Sequence, residues 1–142
     1  MKVLSLFDGI SCGMLALQRA GIPVECYDAF EIDKYAVTVS KRNFPVIVHH
    51  GNVYDGDFTQ FKGYDLLLGG SPCTYWSIAK KDREIDCNGE GFRLFKQYVR
   101  ALEESGCKYF LYENNYSVHQ NIKDEITRVL GVEPIMINSA LV

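Results

Sequence analysis

Apolar residues fall in short runs along this chain, and each run breaks at glycine, proline or an acid. Residues 3–7 read as a buried strand that opens into a glycine turn. The pattern then predicts a helix over 12–20, stopped by Gly21 with Pro23 beyond. A second strand is expected over 25–32, ending in Glu31-Ile32-Asp33. Asp33 is placed to cap a helix through Asn43, on which Tyr35, Ala36 and Val39 share a face. A short strand over 46–49 leads into the turn Gly51-Asn52-Val53-Tyr54-Asp55. A fourth strand is expected over 64–68, and the charged, glycine-bearing stretch 77–91 reads as a mobile loop. Phe95, Tyr98, Val99 and Leu102 mark a helix over 92–104. A fifth strand follows over 108–112, then a helix carrying Ile122, Ile126, Val129 and Leu130 that Gly131 stops. Residues 134–137 look like the start of a sixth strand.

Strands alternating with helices imply an α/β fold: a doubly wound, Rossmann-like, mainly parallel sheet covered on both faces. Ligands of such sheets sit beyond the carboxyl ends of the strands, near the point where strand order reverses. Three segments carrying chemistry end predicted strands here. They are Phe7-Asp8-Gly9-Ile10-Ser11-Cys12-Gly13, Ser71-Pro72-Cys73-Thr74 and Glu113-Asn114-Asn115. The pattern therefore puts a glycine turn, a thiol and an acid on one rim.

Composition narrows the function classes. The 142 residues suffice for one domain with a core, and 47% are hydrophobic. A net charge of −3 argues against a purely electrostatic nucleic-acid binder. The five cysteines, Cys12, Cys26, Cys73, Cys87 and Cys107, are odd in number and form no CxxC pair. That disfavours a disulfide framework, a zinc site and a thiol-redox protein, and fits a reducing, intracellular setting. No apolar stretch approaches the ~20 residues that span a bilayer, so no membrane role is expected.

Residue chemistry sharpens the site. The turn Gly9-x-x-x-Gly13 is neither a P-loop nor a full dinucleotide fingerprint, and alone reads equally as a plain strand-to-helix turn. Glu31, at the end of the second strand, is placed to accept hydrogen bonds from ribose hydroxyls, or is simply an exposed strand-end charge. Pro72 stops strand four and fixes the backbone entering Cys73, which sets this thiol apart from packing cysteines. Its ordinary pKa of ~8.5 must fall for efficient attack at neutral pH. Cys12 is expected to line the pocket, Cys26 and Cys107 to pack, and Cys87 to be exposed. Glu113 follows an apolar run, where partial desolvation would raise its pKa toward proton-donor duty.

Together these motifs resemble the DNA (cytosine-5)-methyltransferase family, nearest its de novo-type, bacterial and phage members, along essentially the whole chain. Phe7-Asp8-Gly9-Ile10-x-x-Gly13 is similar to the family's S-adenosylmethionine motif, Ser71-Pro72-Cys73 to its nucleophile motif, and Glu113-Asn114 to its Glu-Asn-Val motif. Glu31-Ile32, Gly51-Asn52-Val53 and Gly89-Glu90-Gly91-Phe92-Arg93-Leu94-Phe95 match intermediate segments. The resemblance implies methyl transfer from S-adenosylmethionine to carbon 5 of a cytosine flipped out of duplex DNA. Cys73 would be the nucleophile and Glu113 its acidic partner. The cofactor would be held by the turn Phe7, Asp8, Gly9, Ile10, Cys12 and Gly13, and by Glu31, Ile32, Asn52, Val53, Pro72 and Leu94. Ser71 and Asn114 would meet the substrate. Lys80, Lys81 and Arg83 would touch phosphates, although a solvated charged loop explains these three equally well.

Three departures accompany the likeness. Asn52 stands where the family usually has Asp, Asn115 replaces the usual Val, and the family's Arg-x-Arg motif and target recognition region lie beyond residue 142. The expectation is an incomplete core that needs a complementing C-terminal half, or that self-associates through an open sheet edge. The other readings are a non-catalytic cofactor-binding or assembly subunit, and a tRNA cytosine-5 methyltransferase. A bacterial or phage cytoplasmic protein, in host restriction or phage self-protection, is the setting the resemblance implies.

Overall fold

The computed structural model describes residues 1–141. Strands β1 (Lys2–Leu6), β2 (Cys26–Phe30), β3 (Val48–His50), β4 (Leu66–Gly69) and β5 (Tyr109–Tyr112) form one parallel sheet in the order β3-β2-β1-β4-β5. Helices α1 (Cys12–Arg19), α2 (Lys34–Asn43) and α3 (Glu90–Ser105) lie between consecutive strands, and α4 (Gln120–Leu130) follows β5. Strand order reverses at β1, whose neighbours are β2 and β4. No helix of the described residues is long and apolar enough to cross a membrane.

Side-chain alternation in β1 sets the layers. Leu4 and Leu6 face one side and pack with Phe30, Leu67 and, from α3, Tyr98 and Ala101. Val3 faces the other side and packs with Met14 and Leu17 of α1, Tyr27 and Ile47. A third cluster gathers Trp76, Phe92, Phe95, Val118 and Ile122 under the chain that follows β4.

Two expectations are corrected. Residues 134–137 form no strand; Ile135, Met136 and Ile137 are exposed, and the segment pairs with none of the five strands. Extended backbone becomes a strand only with a partner for its N–H and C=O groups. The sheet is also not covered on both faces throughout. Edge strand β5 leaves Tyr109 and Leu111 at 52% and 57% exposure. Element ends shift for local reasons. Strand β2 stops at Phe30 because the Glu31 carboxylate turns back, Oε1 accepting from the backbone N–H of Ile32 and Asp33, both at 2.8 Å.

The charged stretch 77–91 leaves residues 78–82 exposed but is anchored at several points. Trp76 ahead of it is completely buried. Glu84 accepts from the backbone N–H of Glu90 at 2.9 Å and Gly91 at 3.0 Å. It thereby caps α3 from outside the helix, placing negative charge at the positive end, and α3 starts at Glu90 rather than Phe92. Gly91 leaves room for this arrangement, since a Cβ there would lie 2.5 Å from Trp76 Nε1. Arg83 Nη1 donates to the Ser117 carbonyl at 2.8 Å.

From α3, Arg100 pins the crossover between β3 and β4. Its guanidinium donates to the carbonyls of Val53 at 2.8 Å and Gly56 at 2.9 Å, and lies 4.5 Å from the centre of the Phe58 ring. On β3, burial pushes the His49 imidazole below its usual 6.5, helped by the positive charge of Lys41 and opposed by Asp8.

Three outcomes follow from this packing. Trp76→Ala empties a fully buried site and is expected to cost about 3–5 kcal/mol in urea denaturation. Glu84→Ala removes the external cap, costs about 1–2 kcal/mol, and speeds proteolytic cleavage within 77–91. The unfolded chain binds a proton at His49 more readily than the folded chain, so stability falls as pH drops through 6.5. Melting curves taken from neutral to acid pH should show that loss, and His49→Asn should flatten it.

Candidate active site

Register brings the predicted residues together. His50, Phe30, Leu6, Gly69 and Tyr112 occupy one rung across all five strands. The residues one step further along are therefore Gly51, Glu31, Phe7, Gly70 and Glu113, and together they form a single rim.

At the centre of that rim Phe7 has a φ of 56°, a left-handed backbone rare for a residue with a side chain. The turn beyond it is stitched to the end of β2. Asp8 N–H donates to the Phe30 carbonyl at 3.2 Å, and Gly9 N–H donates to Glu31 Oε2 at 2.8 Å. Glu31 thus binds three backbone N–H groups and keeps one acceptor position on Oε2.

A cleft of about 290 Å³ opens here. Phe7, Ile32, Val53, Pro72 and Leu94 supply apolar walls, and Glu31 and Asn52 supply polar ones. Asn52 Oδ1 accepts from Tyr54 N–H at 3.0 Å, which starts a one-turn 3-10 helix at Val53–Asp55. The sequence reading missed Phe30, Tyr54, Tyr75 and Glu90 on the same walls. Tyr54 O–H donates to Glu90 Oε1 at 2.8 Å, bridging two sides of the mouth. Burial, with the Glu90 hydrogen bond, pushes this phenol up to about 12. A larger groove of about 510 Å³ runs between α3 and α4, lined by Lys96, Glu103, Glu125 and Arg128 among others. It contains none of the predicted site residues.

Five residues of the glycine turn do not line the cleft. Gly9 faces Glu31, Gly13 sits against Tyr27 and Leu68, and Ile10 and Cys12 are exposed. The Asp8 side chain builds the turn. Its Oδ1 accepts from Ser5 and Tyr27 hydroxyls, both at 2.6 Å, and its Oδ2 accepts from Ser11.

On the other side of the switch point, Pro72 ends the chain leaving β4, and Cys73 opens a one-turn 3-10 helix, Cys73–Tyr75. The Cys73 thiol is exposed, between cleft-lining Pro72 and Thr74. Cys26 and Cys87 are half-buried and Cys107 is buried, so Cys87 is not the exposed loop thiol expected. Gly70 lets the ends of β4 and β5 close together. A Cβ on it would meet the Glu113 carbonyl oxygen at 2.5 Å and Glu113 Oε2 at 3.1 Å. The Glu113 carboxylate therefore lies over the backbone three residues before Cys73. Its side chain is exposed, not desolvated as expected.

A polar knot locks the two loops. Ser71 and Tyr112 hydroxyls share a hydrogen bond of 2.7 Å, and Asn114 Nδ2 donates to the Ser71 carbonyl at 3.0 Å. Burial pushes the Tyr112 phenol up to about 12, so it stays protonated. Ser71, 3% exposed, is thus a strut between the two loops, and Asn114 braces the same joint. Of the three loop cations, Arg83 is tied to Ser117, Lys80 lies 5.2 Å from the Tyr75 ring centre, and Lys81 is exposed.

Comparison with known proteins identifies the family and the fold. Residues 1–130 match the family model C-5 cytosine-specific DNA methylase. The orphan methyltransferase M.SPRI of Bacillus phage SPR is 39% identical over 117 residues, covering 80% of this chain and 26% of that protein. The type II methyltransferase M.HgiCII of Herpetosiphon aurantiacus is 34% identical over 116 residues, covering 80% and 25%. This chain therefore spans about a quarter of the length of these relatives. In fold it resembles a crystal structure of a Spodoptera frugiperda DNMT2 mutant, with a TM-score of 0.71 and 23% identity over 92% of this chain and 40% of that one. The match extends from β1 through α4, and the protein belongs to the C-5 cytosine-specific DNA methylase family.

Proposed function

We propose that this chain is the cofactor-binding and nucleophile-bearing part of an S-adenosylmethionine-dependent DNA cytosine-5 methyltransferase. The observation that carries the reading is the shared rim: an adenosyl-sized cleft, an exposed thiol and a carboxylate stand at neighbouring strand ends. The cleft suits the cofactor chemically. Phe7, Ile32 and Val53 offer flat apolar surface for adenine, Asn52 an amide for its edge, and the free acceptor position of Glu31 a partner for a ribose hydroxyl. Pro72 and Leu94 shape the end nearest the thiol. S-adenosylmethionine, when bound, supplies an electrophilic methyl group.

The chain's own residues prepare the base. A cytosine must leave the helix stack to reach this rim. The Cys73 thiolate then forms a bond from Sγ to ring carbon 6, and the displaced electron pair reaches carbon 5 and N3. Glu113 holds or delivers a proton at N3, so negative charge does not accumulate on the ring. Carbon 5 becomes nucleophilic toward the methyl group that the cofactor would supply, the methyl–sulfur bond breaking to leave the thioether S-adenosylhomocysteine. Removal of the carbon-5 proton returns its electron pair to the ring and expels Cys73 as thiolate. Lys80 and Lys81, free of ion pairs among the described residues, are available for phosphates.

A complementing C-terminal part completes this machinery in our reading. Two facts support it: the chain spans about a quarter of its curated relatives, and β5 presents an unpaired edge with exposed Tyr109 and Leu111. Transfer of labelled methyl groups to duplex DNA tests the proposal. The chain alone should be weak or inactive, and adding the downstream portion of the enzyme should restore turnover. Cys73→Ala should then fall to background, and Glu113→Gln should lose about 10²- to 10⁴-fold. Full turnover by the chain alone would remove the complementation claim. Cofactor binding without turnover in the complemented protein would favour an assembly subunit, and preference for tRNA over duplex DNA would redirect the substrate.

A further inference from the structure

Behind the cleft a buried polar chain crosses three elements, and none of its members lines the cleft. Asp8, in the turn after β1, accepts three hydroxyl protons, from Ser5, Tyr27 and Ser11. Ser11 Oγ lies 2.5 Å from Ser40 Oγ on α2. Ser40 Oγ lies 3.2 Å from His49 Nε2 on β3. Ser11 and Ser40 are wholly buried.

Counting protons fixes the direction of every link. A hydroxyl has one hydrogen to donate. Ser11 gives its hydrogen to Asp8, so Ser40 must donate to Ser11. Ser40 then only accepts from His49, which requires the hydrogen on Nε2. His49 Nδ1 is left bare, and it is buried with no hydrogen-bond partner. The chain is polarised from the ring to the carboxylate, and a charged His49 would carry a second, stranded hydrogen. The low proton affinity that burial and Lys41 impose on this imidazole agrees.

The relay ends where the backbone is strained. Phe7 and Ser11 have φ values of 56° and 67°, and no other non-glycine residue among those described has positive φ. Such conformations cost roughly 1–3 kcal/mol each and persist only where the surroundings over-determine them. We infer that Asp8, Ser11, Ser40 and His49 are positioning residues: one polarised relay reaching from β3 through α2 holds the strained 7–11 turn, and with it the Phe7 ring and the Gly9–Glu31 contact, in the shape of the cofactor cleft. The inference rests on the reading of that cleft as the S-adenosyl site. It assigns a task to a serine on the buried side of α2 and to a histidine that no step of the chemistry uses.

The test compares the unaltered chain with Ser40→Ala, and with the near-isosteric Asp8→Asn in case the first variant folds poorly. ¹⁵N spectra of the His49 ring should show the neutral Nε2–H form in the unaltered chain and loss of that bias in either variant. Amide exchange at Gly9 and Ser11 should speed up by about tenfold or more in Ser40→Ala, with the β1 and β2 amides unmoved. The dissociation constant of S-adenosylhomocysteine should rise about tenfold. An Nδ1–H or charged ring near neutral pH in the unaltered chain overturns the relay, as do unchanged exchange rates in Ser40→Ala. Unchanged affinity in Ser40→Ala, with the unaltered chain binding, overturns the positioning role. An unaltered chain that binds no S-adenosylhomocysteine counts against the cofactor reading instead, and the ring and exchange results still decide the relay.

Discussion

Parallel pairing with a common last rung is the constraint on which the site depends. Leu6 pairs with both Phe30 and Gly69, and Gly69 pairs with Tyr112. In a parallel sheet all carboxyl ends face the same way, so the residues just past that rung must share one rim. A slip of one residue between β4 and β5 would turn Glu113 to the opposite face. Two devices guard against it. Gly70 has no side chain to hold the Glu113 backbone away. Tyr112, Ser71 and Asn114 tie the two exits: the Ser71 and Tyr112 hydroxyls share one hydrogen bond, and Asn114 Nδ2 donates to the Ser71 carbonyl.

The walls of the cleft are held from outside the cleft. Arg100 satisfies two carbonyls of the crossover that carries Val53, and Glu104 Oε2 accepts from Phe58 N–H at 3.1 Å in the same segment. Glu84 and Trp76 fasten the chain between Cys73 and α3, which carries Leu94. Glu31 closes the β1 turn onto β2. In each case a charged or aromatic group satisfies backbone that a loop would otherwise leave to water. The rim is thus preorganised by distant side chains, as the proposed binding of a cofactor beside a base requires.

Much of this architecture was legible because strands and helices alternate with short breaks. The order of elements and the five strands agree with periodicity, and Phe7, Glu31, Val53, Pro72 and Leu94, the last three assigned to the cofactor only through the family resemblance, line one cleft. The failures have a common physical origin. The family motif put Asp8 among the cofactor contacts, and nothing local in the sequence shows that the hydroxyls of Ser5, Ser11 and Tyr27 converge on it. The stretch 77–91 read as a loop without ties because its charge and glycine content does not show its anchors, Glu84 at the start of α3 and Arg83 at the Ser117 carbonyl. Cys87 looked exposed for the same reason, since the cluster of Phe92 and Phe95 that shelters it forms only in the fold. A sixth strand was expected from local apolar character, but strand formation is a property of pairs. Arg100 left no local signal: on a helix it reads as one more solvated cation.

The central claim is that the sulfur of residue 73 and the acid of residue 113 act on the same pyrimidine. Peptide mass mapping after incubating the complemented enzyme with S-adenosylmethionine and duplex DNA carrying 5-fluorocytosine addresses it most directly, because fluorine at carbon 5 blocks release of the enzyme-bound base. The account predicts a stable adduct confined to the peptide containing Cys73, with Cys12, Cys26, Cys87 and Cys107 unmodified, and its yield sharply reduced in Glu113→Gln. An adduct on another cysteine, or unmodified Cys73 in enzyme that methylates ordinary duplex DNA, would contradict it.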